Sequence, residues 1–209
     1  SMNRRKQLLE YAAKNQAYII EDDYDSEFRY DGRPLPSLQG MDSNDRTIYL
    51  SCLWNAMAPV SRIGFMVVPE ALIEPMSAAK GLVERDVSLV EQAALADFIN
   101  EGHLEKLIRK QRSRYAVRRQ NLLSLLPKAF DTSYIAAESA GLALLVRLKD
   151  HYKAAKIEQA IASSQLPMTS TQSYYAGEAR ELEFILSFAA IEENDLAQRL
   201  ELFTAALNS

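Results

Sequence analysis

The strongest constraint on the fold is an order of segments near the start of the chain. An amphipathic helix over 3–15 leads into a short all-apolar strand, Tyr18-Ile19-Ile20, and that strand ends in the acidic run Glu21-Asp22-Asp23-Tyr24-Asp25. In the helix, Leu8, Leu9, Ala12 and Ala13 form the apolar stripe, with Arg4, Arg5 and Lys6 outside it. A helix followed by an all-apolar strand with polar residues at its carboxyl end is the grammar of a parallel α/β sheet. Open sheets of that kind bind their ligands at the carboxyl ends of their strands, so Asp22, Asp23 and Asp25 are placed where chemistry is expected.

The rest of the chain extends this pattern. Residues 29–46, with Gly32, Pro34, Pro36 and Gly40, read as a long ordered loop. Thr47–Leu50 and 62–68 read as further strands, with Pro69 closing the latter and opening a helix to about 82. Ser88-Leu89-Val90-Glu91 is a capping-box signature, so a helix is expected from Ser88 to about Asn100. After Gly102 a longer helix is expected from His103 to Leu126, with Leu104, Ile108, Tyr115, Leu122 and Leu126 on one face. The last third changes character. Strands near 132–136, 141–148 and 182–188, with helices near 152–164 and 192–207, describe a smaller α+β lobe. The organisation expected is therefore a large α/β lobe over 1–105, then a connecting helix and small α+β lobe over 106–209.

Composition excludes several function classes. Cys52 is the only cysteine among 209 residues, which rules out an internal disulfide and a cysteine-based zinc site and fits a reducing cytoplasm. With only His103 and His151 besides, a histidine-rich metal site is excluded, and no metal is expected. No apolar run approaches the roughly 20 residues of a membrane-spanning helix. A formal net charge of −4 argues against a chain that binds nucleic acid along its length.

Three segments could carry chemistry. The acidic cluster could hold a hard metal ion, pair with a cationic ring nitrogen of a cofactor, or form a solvated turn. In Ser51-Cys52-Leu53-Trp54-Asn55, Cys52 is expected to pack as a small apolar residue, and Trp54 to pack or to cover a pocket. Arg62 opens an otherwise apolar strand and must find an anion or carbonyl oxygens, because burying it unpaired is costly. The basic stretch Arg109 to Arg114, with Arg118 and Arg119, is expected to be a solvated helix face rather than a nucleic-acid contact. Ser173 and Tyr174, in a polar stretch of the small lobe, could line a pocket with hydroxyls.

In order, these blocks resemble the MocR branch of the GntR superfamily, regulators that join a winged-helix DNA-binding domain to an aminotransferase-like domain of the fold-type I pyridoxal-phosphate class. The resemblance rests on Ile19 to Tyr30 with its continuation to Leu38, on Ala58 to Phe65, and on Gly102-His103-Leu104 with Ile108, Arg109, Lys110, Arg112, Tyr115, Arg118 and Arg119. It implies the carboxyl-terminal half of a fold-type I large lobe followed by a small α+β lobe. By the same resemblance Asp22 pairs with the ring nitrogen of the cofactor, Tyr24 hydrogen-bonds its ring hydroxyl, and Arg62 lies near its phosphate.

The sequence departs from the family at Asn55, which stands where the family has the lysine that forms the Schiff base; a carboxamide nitrogen is not nucleophilic enough to replace it. Two hydroxyl positions of the family's phosphate pocket are here Cys52 and Trp54, and Ser173 stands where some members place an arginine for the substrate carboxylate. The resemblance thus implies an effector-sensing and dimerisation domain without catalytic residues, in a cytoplasmic regulator. Pyridoxal phosphate would bind only non-covalently, beside a small-molecule effector at Ser173 and Tyr174. DNA would be reached only through a winged-helix domain absent from this chain, which is expected to be a carboxyl-terminal portion or truncated product. A homodimer is expected. The alternative is a pyridoxal-phosphate-dependent aminotransferase.

Overall fold

The computed structural model describes residues 2–32, 35–57, 63–83, 88–126, 130, 140–149, 152–192 and 194–208, and the side chain of Trp54 lies outside that description. The chain divides into two compact units, one of residues 1–26 and 32–109, the other of residues 27–31 and 110–209.

In the first unit, helix α1 (Met2–Lys14) precedes β1 (Ile19–Asp23), the short α2 (Leu38–Met41), β2 (Thr47–Cys52), α3 (Trp54–Met57) and β3 (Gly64–Val67). Strand β1 runs three residues further, through Glu21, Asp22 and Asp23, into the acidic run than its apolar character suggests. It pairs in parallel with β2, in the register Ile19 with Thr47 through Asp23 with Ser51. Strand β3 departs from the all-parallel pattern, since it lies antiparallel to β2 in the order β1-β2-β3. Antiparallel pairing needs no helical crossover, and the 54–63 connection is too short to provide one. Ser37 caps α2 by accepting from the Gly40 amide at 3.0 Å. Asp42 then accepts from the amides of Asn44 and Arg46 and from the Thr47 hydroxyl at 2.7–2.9 Å. Burial opposes ionisation of Asp42, but these hydrogen bonds outweigh it and hold the carboxyl below its ordinary value.

A 3-10 turn (Glu70–Leu72) leads into α4 (Ile73–Val83), and α5 (Leu89–Asn100) begins as the capping box requires, with the Ser88 hydroxyl accepting from the Glu91 amide at 3.3 Å. Gly102, at φ +74°, breaks the path between α5 and α6 (His103–Leu125), a backbone conformation that favours glycine. Helix α6 is shared by the two units, which divide at Arg109 and Lys110.

The first unit hides little of its apolar surface. Among its described residues only Ala12, Leu38, Ile48 and Ala56 are buried hydrophobics, so three of the four expected stripe residues of α1 are not buried. Neither α4 nor α5 buries any residue, and Ile20, Phe65, Met66 and Val67 of the sheet are exposed. A three-stranded sheet with so few covering elements leaves apolar side chains in water.

The second unit has a core of its own. Strands β4 (Ala143–Arg147), β5 (Met168–Ser170) and β6 (Glu183–Ser187) form an antiparallel sheet in the order β4-β6-β5. Alternate residues of β4, Leu144 and Val146, point into that core, as one-sided burial of an antiparallel sheet demands. Helix α7 (Ala154–Ser164) contributes Ile157 and Ala160, and α8 (Leu196–Asn208) contributes Leu200, Phe203 and Leu207. Phe203 stacks on Phe130 with ring centroids 5.8 Å apart. Strand β5 and a 3-10 turn (Gln172–Tyr174) are elements that periodicity did not predict, because three residues are too few to show a period. The strand expected near 132–136 lies outside the described residues.

A segment distant in sequence completes this unit. Residues 27–31 pack on α6 and the start of β4: Phe28 is fully buried with its ring edge-to-face on Tyr115 at 5.3 Å. Arg29 bridges Ala140, and the Tyr30 hydroxyl donates to the Gly141 carbonyl at 2.9 Å.

Candidate functional site

The carboxylates at the end of β1 separate into different roles because successive strand residues face opposite sides. Glu21 accepts from the amides of Leu38 at 2.8 Å and Gln39 at 3.0 Å, and pairs with the Arg5 guanidinium at 3.1 Å. It is a structural anchor for α1 and α2. Asp23 is also engaged, accepting from the Tyr49 hydroxyl at 2.8 Å and from the hydroxyl and amide of Ser26. Asp22, between them, faces the other way, is exposed, and accepts no hydrogen bond from the described residues. Of the three aspartates singled out in the sequence, Asp22 is thus the one available to an external cation or ring nitrogen. Among the described residues no group of three or more His, Cys, Asp or Glu side chains could hold a metal ion, so the acids do not converge.

Tyr24 follows, more than half exposed. The Asp25 carboxylate beside it raises its phenol above the ordinary tyrosine value, with further contributions from partial burial, a hydrogen bond to Asp25 and the charge of Asp22. The phenol therefore stays protonated across the physiological range, and a ligand that used it as a donor would compete with Asp25.

The β2 end brings Asn55 to the same place. The backbone turns from β2 into α3 through hydrogen bonds from the Ala56 and Met57 amides to the Leu53 carbonyl. From that turn the Asn55 amide donates to the main-chain carbonyl of Tyr24. The residue expected to have lost a covalent role is therefore a clasp between the two strand ends. Cys52 is half-buried opposite Gly64 on β3, where an added Cβ at Gly64 would meet the Ser51 carbonyl at 3.3 Å. Trp54 opens α3, and Arg62 lies outside the described residues.

Asp22, Tyr24, Asn55 and Cys52 thus gather at and just past the carboxyl ends of two adjacent parallel strands of the first unit, while Ser173 and Tyr174 lie in the 3-10 turn of the second. Tyr174 is largely exposed there. What secures this turn is a residue that sequence reasoning missed, Glu183, whose side chain is 2% exposed. Its carboxylate accepts from the Thr171 hydroxyl at 2.9 Å and the Tyr175 hydroxyl at 2.6 Å, with Arg180 at 3.9 Å. The available signal was an acid immediately before the apolar run Phe184-Ile185-Leu186, where a polar partner is obligatory.

The basic helix also differs from expectation. Arg118 and Arg119 are buried, not solvated. Arg118 donates to Glu192 and the Ala189 carbonyl, while Arg119 lies 3.8 Å from Asp31 and over the Tyr30 ring. An arginine can be inward-facing where carboxylates, carbonyls and aromatic faces meet its fork.

Comparison with known proteins adds a family context. No family profile matches the chain. The HTH-type transcriptional regulator YhdI of Bacillus subtilis is 36% identical over 197 residues, which is 94% of this chain and 42% of that protein. The probable rhizopine catabolism regulatory protein MocR of Rhizobium meliloti is 39% identical over 147 residues, 70% of this chain and 30% of that protein. The chain therefore spans less than half the length of these curated relatives. Among solved structures, the kynurenine aminotransferase of Pyrococcus horikoshii, described in complex with PMP, aligns with a TM-score of 0.86 and 26% identity, covering 99% of this chain and 51% of its own.

Proposed function

Because this chain belongs with the MocR-type regulators of the GntR superfamily, over a region that has the fold-type I aminotransferase fold, we propose that it senses a small molecule and dimerises in transcription control, without catalysis. The observation that carries this reading is the Asn55 side chain, a carboxamide bonded to the Tyr24 carbonyl where the resemblance implies a lysine. Such a group can neither form a covalent bond with an aldehyde nor move a proton as a base.

Pyridoxal phosphate fits the remaining residues without covalent attachment. When bound it would supply an electron-withdrawing ring; Asp22 would hold its ring nitrogen and Tyr24 its ring hydroxyl, with Cys52, Trp54 and Arg62 toward the phosphate. The free carboxylate of Asp22 and the protonated phenol of Tyr24 support this fit, since one accepts and the other donates. Ser173 and Tyr174 would contact the effector, with residues 1–105 serving as the latter half of the large lobe and 106–209 as connecting helix and small lobe. The setting would be cytoplasmic. No described helix is long and apolar enough to cross a membrane. In a full-length regulator, ligand binding would bias the arrangement of the lobes and so the engagement of DNA by a winged-helix domain.

Mass spectrometry after pyridoxal phosphate and borohydride tests the non-catalytic reading. The expected result is no adduct in stoichiometric amount, while Trp54 fluorescence responds saturably and Asp22→Ala weakens binding by about tenfold, the loss of one charge-assisted hydrogen bond. A stoichiometric reducible adduct, or turnover of an amino donor, would overturn it; a flat fluorescence response would remove pyridoxal phosphate as the ligand.

Dimerisation is supported by the uncovered apolar side chains of β3, α4 and α5 in the first unit. Sedimentation velocity is expected to show self-association that strengthens with concentration. A purely monomeric boundary at high concentration would contradict it.

A further inference from the structure

A polar cavity lies in the second unit, between α6 and the loop after β6. It has a volume of about 170 Å³ and is lined by Gln111, Arg114, Tyr115, Arg118, Ala189 and Glu192. The two arginines and one glutamate give its walls a formal charge of +1. We propose that this cavity is a binding site for a small carboxylate anion, held by the Arg118 guanidinium in the place that Glu192 occupies.

The argument starts from the way Arg118 is satisfied. Its side chain is 7% exposed, and its Nη1 donates to the Ala189 carbonyl at 3.1 Å. On its other edge, Nη2 donates to Glu192 Oε2 at 3.0 Å, but the neighbouring Nε is buried with no hydrogen-bond partner among the described residues. Nε and Nη2 form one side of the guanidinium fork, the side that a carboxylate grips with both oxygens at once. Glu192 uses half of that edge. Leaving a buried charged donor unserved costs more than an ordinary unmade hydrogen bond, so the edge favours a ligand that takes both positions.

The occupant already present is weakly held. The Glu192 side chain is 76% exposed and reaches the buried guanidinium from solvent, so it can swing away at little cost. Two more donors line the same space without partners among the described residues: the exposed Arg114 guanidinium and the Tyr115 hydroxyl, whose ring lies 5.7 Å from Arg118. A bidentate carboxylate on Arg118 would displace Glu192 and gain these donors. A purely structural ion pair accounts for the contacts with Glu192 and Ala189, but not for the empty Nε beside a cavity of this charge.

The test uses the whole 15N-labelled chain and sodium acetate as the probe, with ionic strength held constant by chloride. The Nε–H signal of Arg118, assigned by its loss in Arg118→Lys, is expected to shift saturably. Glu192→Gln, at an exposed position, is expected to tighten acetate binding by about three- to tenfold, because it removes the internal competitor. Arg114→Ala, also exposed, is expected to weaken it by a similar factor. A shift that grows linearly without saturation, or a Glu192→Gln variant that binds acetate no more tightly than the parent, would overturn the proposal.

Discussion

Replacing Phe28 by alanine is expected to destabilise the second unit by about 3–5 kcal/mol, the range for removing a fully buried aromatic side chain. Phe28 is 0% exposed and sets its edge on Tyr115, and flanking contacts of Arg29 and Tyr30 secure the same segment. A cavity left there cannot collapse easily, because the Phe28 carbonyl accepts from the Gly141 amide and Arg29 and Tyr30 hold the backbone beside it. Hydrogen exchange of the β4 and β6 amides reads the loss in the second unit directly, whereas β1 and β2 should change little. Phe28→Leu, which keeps most of the volume but loses the edge-to-face contact, should cost about 1 kcal/mol beyond its lost area. An alanine variant within about 1 kcal/mol of the parent would show that 27–31 is not part of this core.

The second large effect is expected at Glu183. Its carboxylate is the common acceptor for Thr171 and Tyr175, and each hydrogen bond to a charged group contributes roughly 1.5–3 kcal/mol before the cost of burying the charge. Glu183→Ala is therefore expected to lose about 3 kcal/mol net, leaving the nearly buried Thr171 hydroxyl with only the Glu183 main-chain carbonyl. Glu183→Gln, which keeps one carbonyl acceptor, should lose less. Limited proteolysis within 172–181 should accelerate in the alanine variant, because the turn carrying Ser173 and Tyr174 is tied to the sheet by these contacts. An unchanged cleavage rate together with unchanged urea midpoint would refute the anchoring role.

Neither residue was readable in advance, because the partners of each lie elsewhere in the chain, whereas other parts of the molecule were. The capping box at Ser88, the glycine break at Gly102 and the strand within 141–148 are local, and each emerged as expected because its cause lies within a few residues. The expected acidic site was legible only in outline. Sequence placed Asp22, Asp23 and Asp25 together at a strand end, but that Asp23 is engaged while Asp22 stays open depends on Tyr49, which only the fold brings to Asp23, added to the local contact with Ser26. Asn55 was visible as a departure from its family, whereas its bond to the Tyr24 carbonyl was not.

The burial of Arg118 and Arg119 was the clearest misreading. A run of basic residues on a helix is ordinarily hydrated, and nothing within α6 says otherwise. Their partners are Asp31, Tyr30, Ala189 and Glu192, up to about ninety residues away in the chain.

The order of residues by itself determined the longer helices, most of the short apolar strands and the absence of an amine at position 55, because these depend on side-chain pattern and identity alone. Tertiary structure decided which carboxylate stays free, which arginines turn inward, and that residues 27–31 complete a core built mostly from the second half of the chain. Those outcomes turn on which polar groups find partners once water is excluded, and partners so distant in sequence leave no local pattern to read.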